Sequence, residues 1–445
     1  MIRGLFLARR KSKPKNSSKR KPQPKATADK KRSNLPWLLA CVVGLLLAAW
    51  GLSTFQQGVK DQAAKLEERC VALNRLGNWE QLELVAREWA VLEPTRFEPW
   101  LYAATAAEEL GIPEQAAGYL KQLPPDSPLE AFLRLGSVQL EVLNQPFEAL
   151  ATLRKTLGTY PDDPETHRRL MFLTAVTCQR DELRKEVARA KENGSDIGTS
   201  YAYEVGSYWL EFSNGYRLNR LWLESAPENE TLQVAAAIQL GTDAAIEEIA
   251  QDQSSGSLSG REFHLRKLEE LLLDYPDNLE LVAEYLYEMC TEGNVEEIER
   301  LLDEHTGAEK KDPRFYRYQG WLKSANGELE QAAEAYEKAI ESWPLDWLSR
   351  IELAAIYRQL NQPEKAAALQ GIAGLGKELQ RDIMLSGGME RLGRNDFRKL
   401  AEFYRLCGLQ DSSEKLLEHS EGYSDRPSAK PQEDAIPQTA PENVR

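Results

Sequence analysis

The sequence predicts an all-α helical solenoid preceded by one transmembrane helix, and three features point there. A 21-residue stretch near the start carries no charge. Beyond it, short amphipathic segments alternate with Gly, Asn or Pro-Asp turns and show almost no alternating β-branched runs. Small residues, aromatics and turn formers then recur at a spacing of 34 residues. With 445 residues, 42% hydrophobic and 28% charged, the chain has ample material for a large core.

The net charge of -14 conceals an asymmetry. Residues 1–34 hold 13 Lys and Arg against the single acid Asp29, which leaves the remainder of the chain strongly acidic. This leader is rich in Lys, Pro and Ser and reads as a disordered, basic, cytoplasmic segment. It is first a topology signal, with anionic lipid or nucleic acid as its candidate contacts. From Leu35 to Phe55 runs LPWLLACVVGLLLAAWGLSTF, long enough as a helix to span about 30 Å of hydrocarbon. Trp37 and Trp50 lie near its ends, where amphipathic rings favour the interface. A cleavable signal peptide is the rival reading, and the long leader speaks against it. The basic flank places residues 1–34 in the cytoplasm and residues 56–445 across the membrane, in the periplasm if the source is bacterial.

The clearest repeat is residues 315–347, FYRYQGWLKSANGELEQAAEAYEKAIESWPLDW. Tyr316 and Gly320 lie one turn apart on a first helix, and Gly327 ends it. Ala332, Tyr336 and Ala339 share one face of a second helix, which Pro344 terminates. This resembles the tetratricopeptide repeat, a helix–turn–helix of about 34 residues. It departs from the family pattern at Gln319 and Lys323, where a large apolar residue and an aromatic are usual. Advancing 34 residues maps Gly320 to Ala354, Lys323 to Tyr357, Gly327 to Asn361 and Ala332 to Ala366. Moving back maps Gly327 to Gly293, ahead of which Pro276 closes a helix. Near the other end Gly77 and Pro94 are followed at the same interval by Gly111 and Pro128, with Trp100 and Ala116 at the large and small packing positions. Another unit ends at Pro161 with Ala149 twelve residues before it, and a final one, 400–420, carries Tyr404 and Gly408 at matching offsets.

The expected organisation is therefore a leader (1–34), a membrane helix (35–55), an N-terminal repeat block (56–162), a degenerate helical region with an aromatic cluster (163–253), a flexible linker (254–260), a C-terminal block (261–421) and a disordered tail (422–445). The linker SSGSLSG divides the two blocks.

Candidate chemistry is sparse. GIAGLGKE (371–378) approaches the phosphate-cradling pattern, but Glu378 stands where a hydroxyl should bind magnesium and no strand precedes it, so the string reads as a glycine-rich interhelical turn. His167, His264, His305 and His419 fall in separate repeat units, which disfavours a shared metal or catalytic site. The five scattered cysteines read as buried thiols or, in an oxidising compartment, one disulfide. No cofactor, metal, catalytic residue or small-molecule substrate is expected. What the resemblance implies is protein–protein interaction through the concave groove of the stacked helix pairs. The chain thus reads as a membrane-anchored extracytoplasmic scaffold or assembly factor that is not an enzyme. The competing reading uses Tyr208, Trp209 and Trp222 of the aromatic region as a patch for a glycan or other small molecule, or as part of an enzyme site.

Overall fold

Left-handed backbone turns recur at Gly77, Gly111, Asn144 and Cys178, and again at Gly293, Gly327 and Asn361, every 33 or 34 residues. A positive φ brings Cβ close to the backbone carbonyl, so glycine fits best and asparagine next. Of the non-glycine turns, Asn144 and Asn361 carry a residue that tolerates this conformation, whereas Cys178 carries no such signal. These turns end one helix so that the next can fold back against it.

The computed structural model describes residues 35–212, 214–241, 260–386 and 388–424, with side chains in the first helix described at 43–47 and from 49 onward. The helices are α1 (Leu35–Leu76), α2 (Trp79–Leu92), α3 (Glu98–Glu109), α4 (Pro113–Leu120), α5 (Leu129–Ser137), α6 (Pro146–Leu157), α7 (Pro164–Val176), α8 (Arg180–Glu192), α9 (Gly198–Gly206), α10 (Gly215–Ser225), α11 (Glu230–Gln239), α12 (Gly260–Asp274), α13 (Leu279–Glu292), α14 (Val295–Glu304), α15 (Arg314–Ala325), α16 (Leu329–Ser342), α17 (Trp347–Gln359), α18 (Pro363–Leu385), α19 (Arg394–Leu406) and α20 (Gln410–Glu421). No strand occurs among the described residues. The fold is an all-α helical solenoid.

The chain divides into two units, Met1–Ala64 and Lys65–Arg445. In the first, the leader 1–34 lies outside the described residues. The crossing expected at Leu35–Phe55 falls within α1. Among the described residues no helix is long and apolar enough to cross a membrane. The side chains of 35–42 and 48 lie outside the described set, and the crossing is not shown by the structure.

In the second unit the helix pairs pack by setting small residues against large ones. A Cβ at Gly320 would sit 3.0 Å from the Tyr336 ring, and one at Gly136 would sit 3.3 Å from Leu153. Ala332, Tyr336, Ala354, Tyr357 and Ala366 form one cluster, and Ala339 is fully buried. Ala116 and Ala149 have no exposed surface, and Trp100 packs half-buried beside Ala104 and Leu120. Phe315 and Tyr318 take the core positions on α15, while Tyr316 is only half-buried. Pro344 follows the end of α16, and Gly408 turns α19 into α20 with φ +83°. Between Gly136 and Ala149 the spacing is one residue longer than between Gly320 and Ala332. A π-helical turn at Val138–Val142 absorbs the extra residue.

The packing does not follow the expected division into blocks. Met171, Leu183, Tyr201, Tyr203 and Leu210 share one core with Trp347, Leu379, Phe397, Phe403 and Tyr404. The aromatic region brings the two blocks together because its rings are buried between α7–α8 on one side and α17–α20 on the other. Of the linker, 254–259 lie outside the described residues and Gly260 already opens α12; the tail is described only as far as 424. GIAGLGKE also departs from expectation. It lies inside the continuous helix α18, with Gly371 and Gly374 exposed and Gly376 buried.

Candidate functional site: an interior filled by the chain itself

The segment following α9, residues 207–212 with the sequence SYWLEF, has no regular secondary structure after a turn bonded from Leu210 N to Gly206 O at 2.7 Å. Its rings and its one leucine are held from several helices. The Tyr208 ring meets Trp343 edge-on at 5.5 Å. The Arg184 guanidinium lies over Tyr208 at 4.7 Å and over Trp343 at 5.4 Å, and it also donates to the Tyr208 hydroxyl. Arg314 approaches the same ring at 5.1 Å. Phe212 packs edge-on against Phe172 at 5.7 Å, and its backbone N–H donates to Gln239 Oε1 at 2.9 Å. Leu210 is buried, and Trp209 packs against the shared core.

Around this segment runs a belt of buried charge. Arg180 and Arg314 are nearly inaccessible, and both reach Glu280 on α13, at 3.2 and 2.6 Å. Arg314 also pairs with Asp312 at 2.5 Å. Burial opposes ionisation of Asp312, but the adjacent Arg314 guanidinium outweighs it and holds the carboxyl below its ordinary range. Buried ions require such pairing to be tolerated at all. A second polar cluster ties α9 to α19 and α20. Tyr201 donates to Asp196 at 2.5 Å, His419 Nε2 lies 3.3 Å from the same carboxylate, and Tyr404 donates to Glu204 at 2.6 Å.

The three aromatics expected to form a ligand patch do not form one. Trp222 is 2% exposed, in a cluster with Leu150, Leu153, Leu173 and Leu232. Tyr208 is held by arginines and Trp343, and Trp209 packs into the core shared by α7–α9 and α17–α20.

On the outside, an open cleft of about 520 Å³ lies among Arg154, Leu157, His167, Glu182, Glu186 and Arg189. Its floor is a buried pair, His167 Nδ1 against Glu186 Oε1 at 2.5 Å, with His167 Nε2 2.9 Å from the Pro161 carbonyl. Burial opposes a charged ring there, but the bonds to Glu186 and Pro161 outweigh it and keep His167 above its ordinary value. Arg154 and Arg189 pair with Glu182 and Glu186 at 3.2 and 3.1 Å. Of the four histidines, His167 faces Glu186 on α8, His419 faces Asp196 in the connection before α9, and His305 bonds main-chain carbonyls. Among the described residues no group of three His, Cys, Asp or Glu side chains could hold a metal ion. The four described cysteines, Cys70, Cys178, Cys290 and Cys407, are free thiols, and burial pushes Cys70 up to about 11.

Residues 130–163 match the tetratricopeptide repeat. The matched repeat comprises most of α5, the π-helical turn and α6, and it ends at Asp163, the residue that caps α7 by accepting from Thr166 N at 2.7 Å. No curated protein matches the chain. Among solved structures, a tetratricopeptide repeat protein from Parabacteroides merdae is 14% identical, covering 66% of this chain and 99% of its own, with a TM-score of 0.25. Yeast Tom70 is 12% identical over 82% of this chain and 85% of its own, with a TM-score of 0.26. A human IFIT1 dimer with m7Gppp-AAAA is 14% identical over 79% and 88%, with a TM-score of 0.31.

Proposed function

We propose that this chain is a single-pass membrane-anchored scaffold or assembly factor that binds other proteins through its helical array and performs no catalysis. The observation that carries the scaffold reading is the tetratricopeptide match at 130–163, set within turns that recur at that period from Gly77 to Cys178 and again from Gly293 to Asn361. The anchor rests on the uncharged run 35–55 and on the exposure of its described apolar side chains, among them Leu45 at 70%, Trp50 at 68% and Phe55 at 71%. Apolar side chains exposed together along a helix call for a lipid or protein neighbour. The basic leader then fixes the N-terminus in the cytoplasm and the array outside it.

The test is crosslinking and mass spectrometry after mild-detergent extraction, comparing the full chain with a version that keeps 1–55 and lacks the array. Stoichiometric partners retained only by the full chain support the scaffold. If neither version retains a protein, the scaffold reading falls. Protease added to intact cells or spheroplasts tests the topology: cleavage within 56–445 without permeabilisation is expected, and full protection would refute the orientation.

A further inference from the structure

We infer that Arg350 is the centre of a small-oxyanion site inside the C-terminal part of the array, built together with Trp347 on α17 and fitted to phosphate or sulfate. The site is internal and does not depend on which partner the array binds. Three arginines are buried among the described residues, and two of them, Arg180 and Arg314, reach the Glu280 carboxylate at 3.2 and 2.6 Å. Arg350 is as deeply buried, 4% exposed, yet it pairs with no carboxylate among the described residues. Its one hydrogen bond runs from Nη1 to the Asp346 carbonyl oxygen at 3.0 Å. The Asp346 carboxylate is already taken, by Arg317 at 3.3 Å and by the Ser349 N–H and hydroxyl at 3.0 and 2.5 Å. Arg350 Nε is sealed from solvent without a partner. Nε and Nη2 form the edge of a guanidinium that grips an oxyanion through two parallel bonds. In Arg350 that edge is bonded to none of the described residues.

A further donor lies beside it. Trp347 stands three residues before Arg350 on α17, a spacing that puts both on one face. Its Nε1 is likewise buried without a partner. Both side chains are turned toward α19: Trp347 shares a core with Phe403, and the Arg350 charge acts on the thiol of Cys407, one helical turn beyond. That thiol does not supply the missing negative charge, because burial pushes it up to about 11 and keeps it protonated. A guanidinium cannot escape burial by losing its proton, and an uncompensated buried charge is costly. Buried N–H groups are also seldom left unpaired. An oxyanion answers both needs. It must be small, since an arginine 4% exposed leaves no room for a polypeptide. It must also be rich in oxygen, since Nε, Nη2 and the indole N–H all call for acceptors. Phosphate and sulfate meet both conditions, whereas a carboxylate has only two oxygens.

Titration of the full chain in detergent and chloride buffer, with sodium phosphate, sodium sulfate and sodium acetate as the probes, tests this by calorimetry. Phosphate and sulfate should bind saturably, one per chain, and acetate at least tenfold more weakly. Arg350→Gln should weaken phosphate binding at least tenfold. In thermal melts, phosphate should raise the wild-type midpoint above that in chloride of equal ionic strength, with a rise that levels off as the site fills. Phosphate and sulfate also stabilise proteins generally by exclusion from their surfaces, an effect that the variant shares. An identical rise in wild type and Arg350→Gln therefore overturns the inference, as does the absence of saturable binding to the wild type. Acetate bound as tightly as phosphate overturns the assignment to a tetrahedral anion. If Arg350→Gln does not fold, Trp347→Phe, which keeps an aromatic ring and removes the N–H donor, takes its place, and unchanged phosphate affinity in that variant overturns the inference. Protein partners retained by a chain that binds no phosphate would leave the scaffold standing and remove only the anion site.

Discussion

Three glycines on α18 make the packing of the C-terminal pairs testable by single methyl groups. Gly371 and Gly374 face open space, whereas a Cβ at Gly376 would lie 2.6 Å from Trp347 Cγ and 3.0 Å from Phe403. In a helix interior, Gly→Ala stabilises by about 1 kcal/mol through the reduced entropy of the unfolded chain. Gly371→Ala and Gly374→Ala should each show that gain. At Gly376 the same gain is opposed by a clash that no rotamer relieves, since Cβ is fixed by the backbone on both sides. Carbon atoms pack at about 3.5–4.0 Å, so α17 and α18 must part by roughly 1 Å. Overpacking of this kind costs about 3 kcal/mol, which leaves a net loss near 2 kcal/mol. If residues 65–424 unfold together, with an entropy of about 2.1 cal/mol/K per residue, that loss lowers Tm by roughly 3 °C, and the two controls raise it by about 1 °C each. Urea denaturation followed by far-UV circular dichroism gives the same ordering as a shift in midpoint at constant slope. A Gly376→Ala protein as stable as its controls would refute the close approach of α17 to α18.

Trp222→Ala should cost about 3–5 kcal/mol, because the indole is 2% exposed among leucines; thermal melting checks this, and an unchanged melt would return the residue to a surface role. Asn361 holds φ +56°, so Asn361→Ala should destabilise by about 1 kcal/mol and Asn361→Gly should not, as chemical denaturation will show. His167 is held above its ordinary value of 6.5 in the folded chain, so its contribution is complete below pH 6.5 and is lost as pH rises through the folded value. Stability measured from pH 6 to 9 should therefore fall in the wild type and fall less steeply in His167→Gln; identical slopes would show that the pair with Glu186 contributes nothing.

Much of the repeat architecture is legible in the sequence, since small residues such as Ala332 and Ala354 and turn formers such as Gly327 and Asn361 are chemical necessities of packing and reversal. The turn at Cys178 escapes notice because cysteine is no turn former and its conformation is imposed by the helices on either side. The string GIAGLGKE misleads for a related reason: three glycines weaken a helix, yet burial of Ala373, Gly376 and Leu379 keeps α18 continuous. The interior is the least legible part. Aromatics at 201–212 announce burial, but a one-dimensional pattern does not say that their neighbours lie at 343–404. Pairs such as Arg168–Glu390 and Tyr404–Glu204, about 200 residues apart, depend on the accumulated turn of the whole array.

That long-range closure affects how the chain comes into being. An open array can settle pair by pair as it leaves the ribosome, but Tyr201 accepts its bond from Tyr404, 203 residues later. At synthesis rates of about 5–20 residues per second, α9 waits roughly 10–40 seconds for the helices that cover it. During that interval its tyrosines stand bare to any chaperone, or to any neighbouring nascent chain, that arrives before the C-terminal helices do.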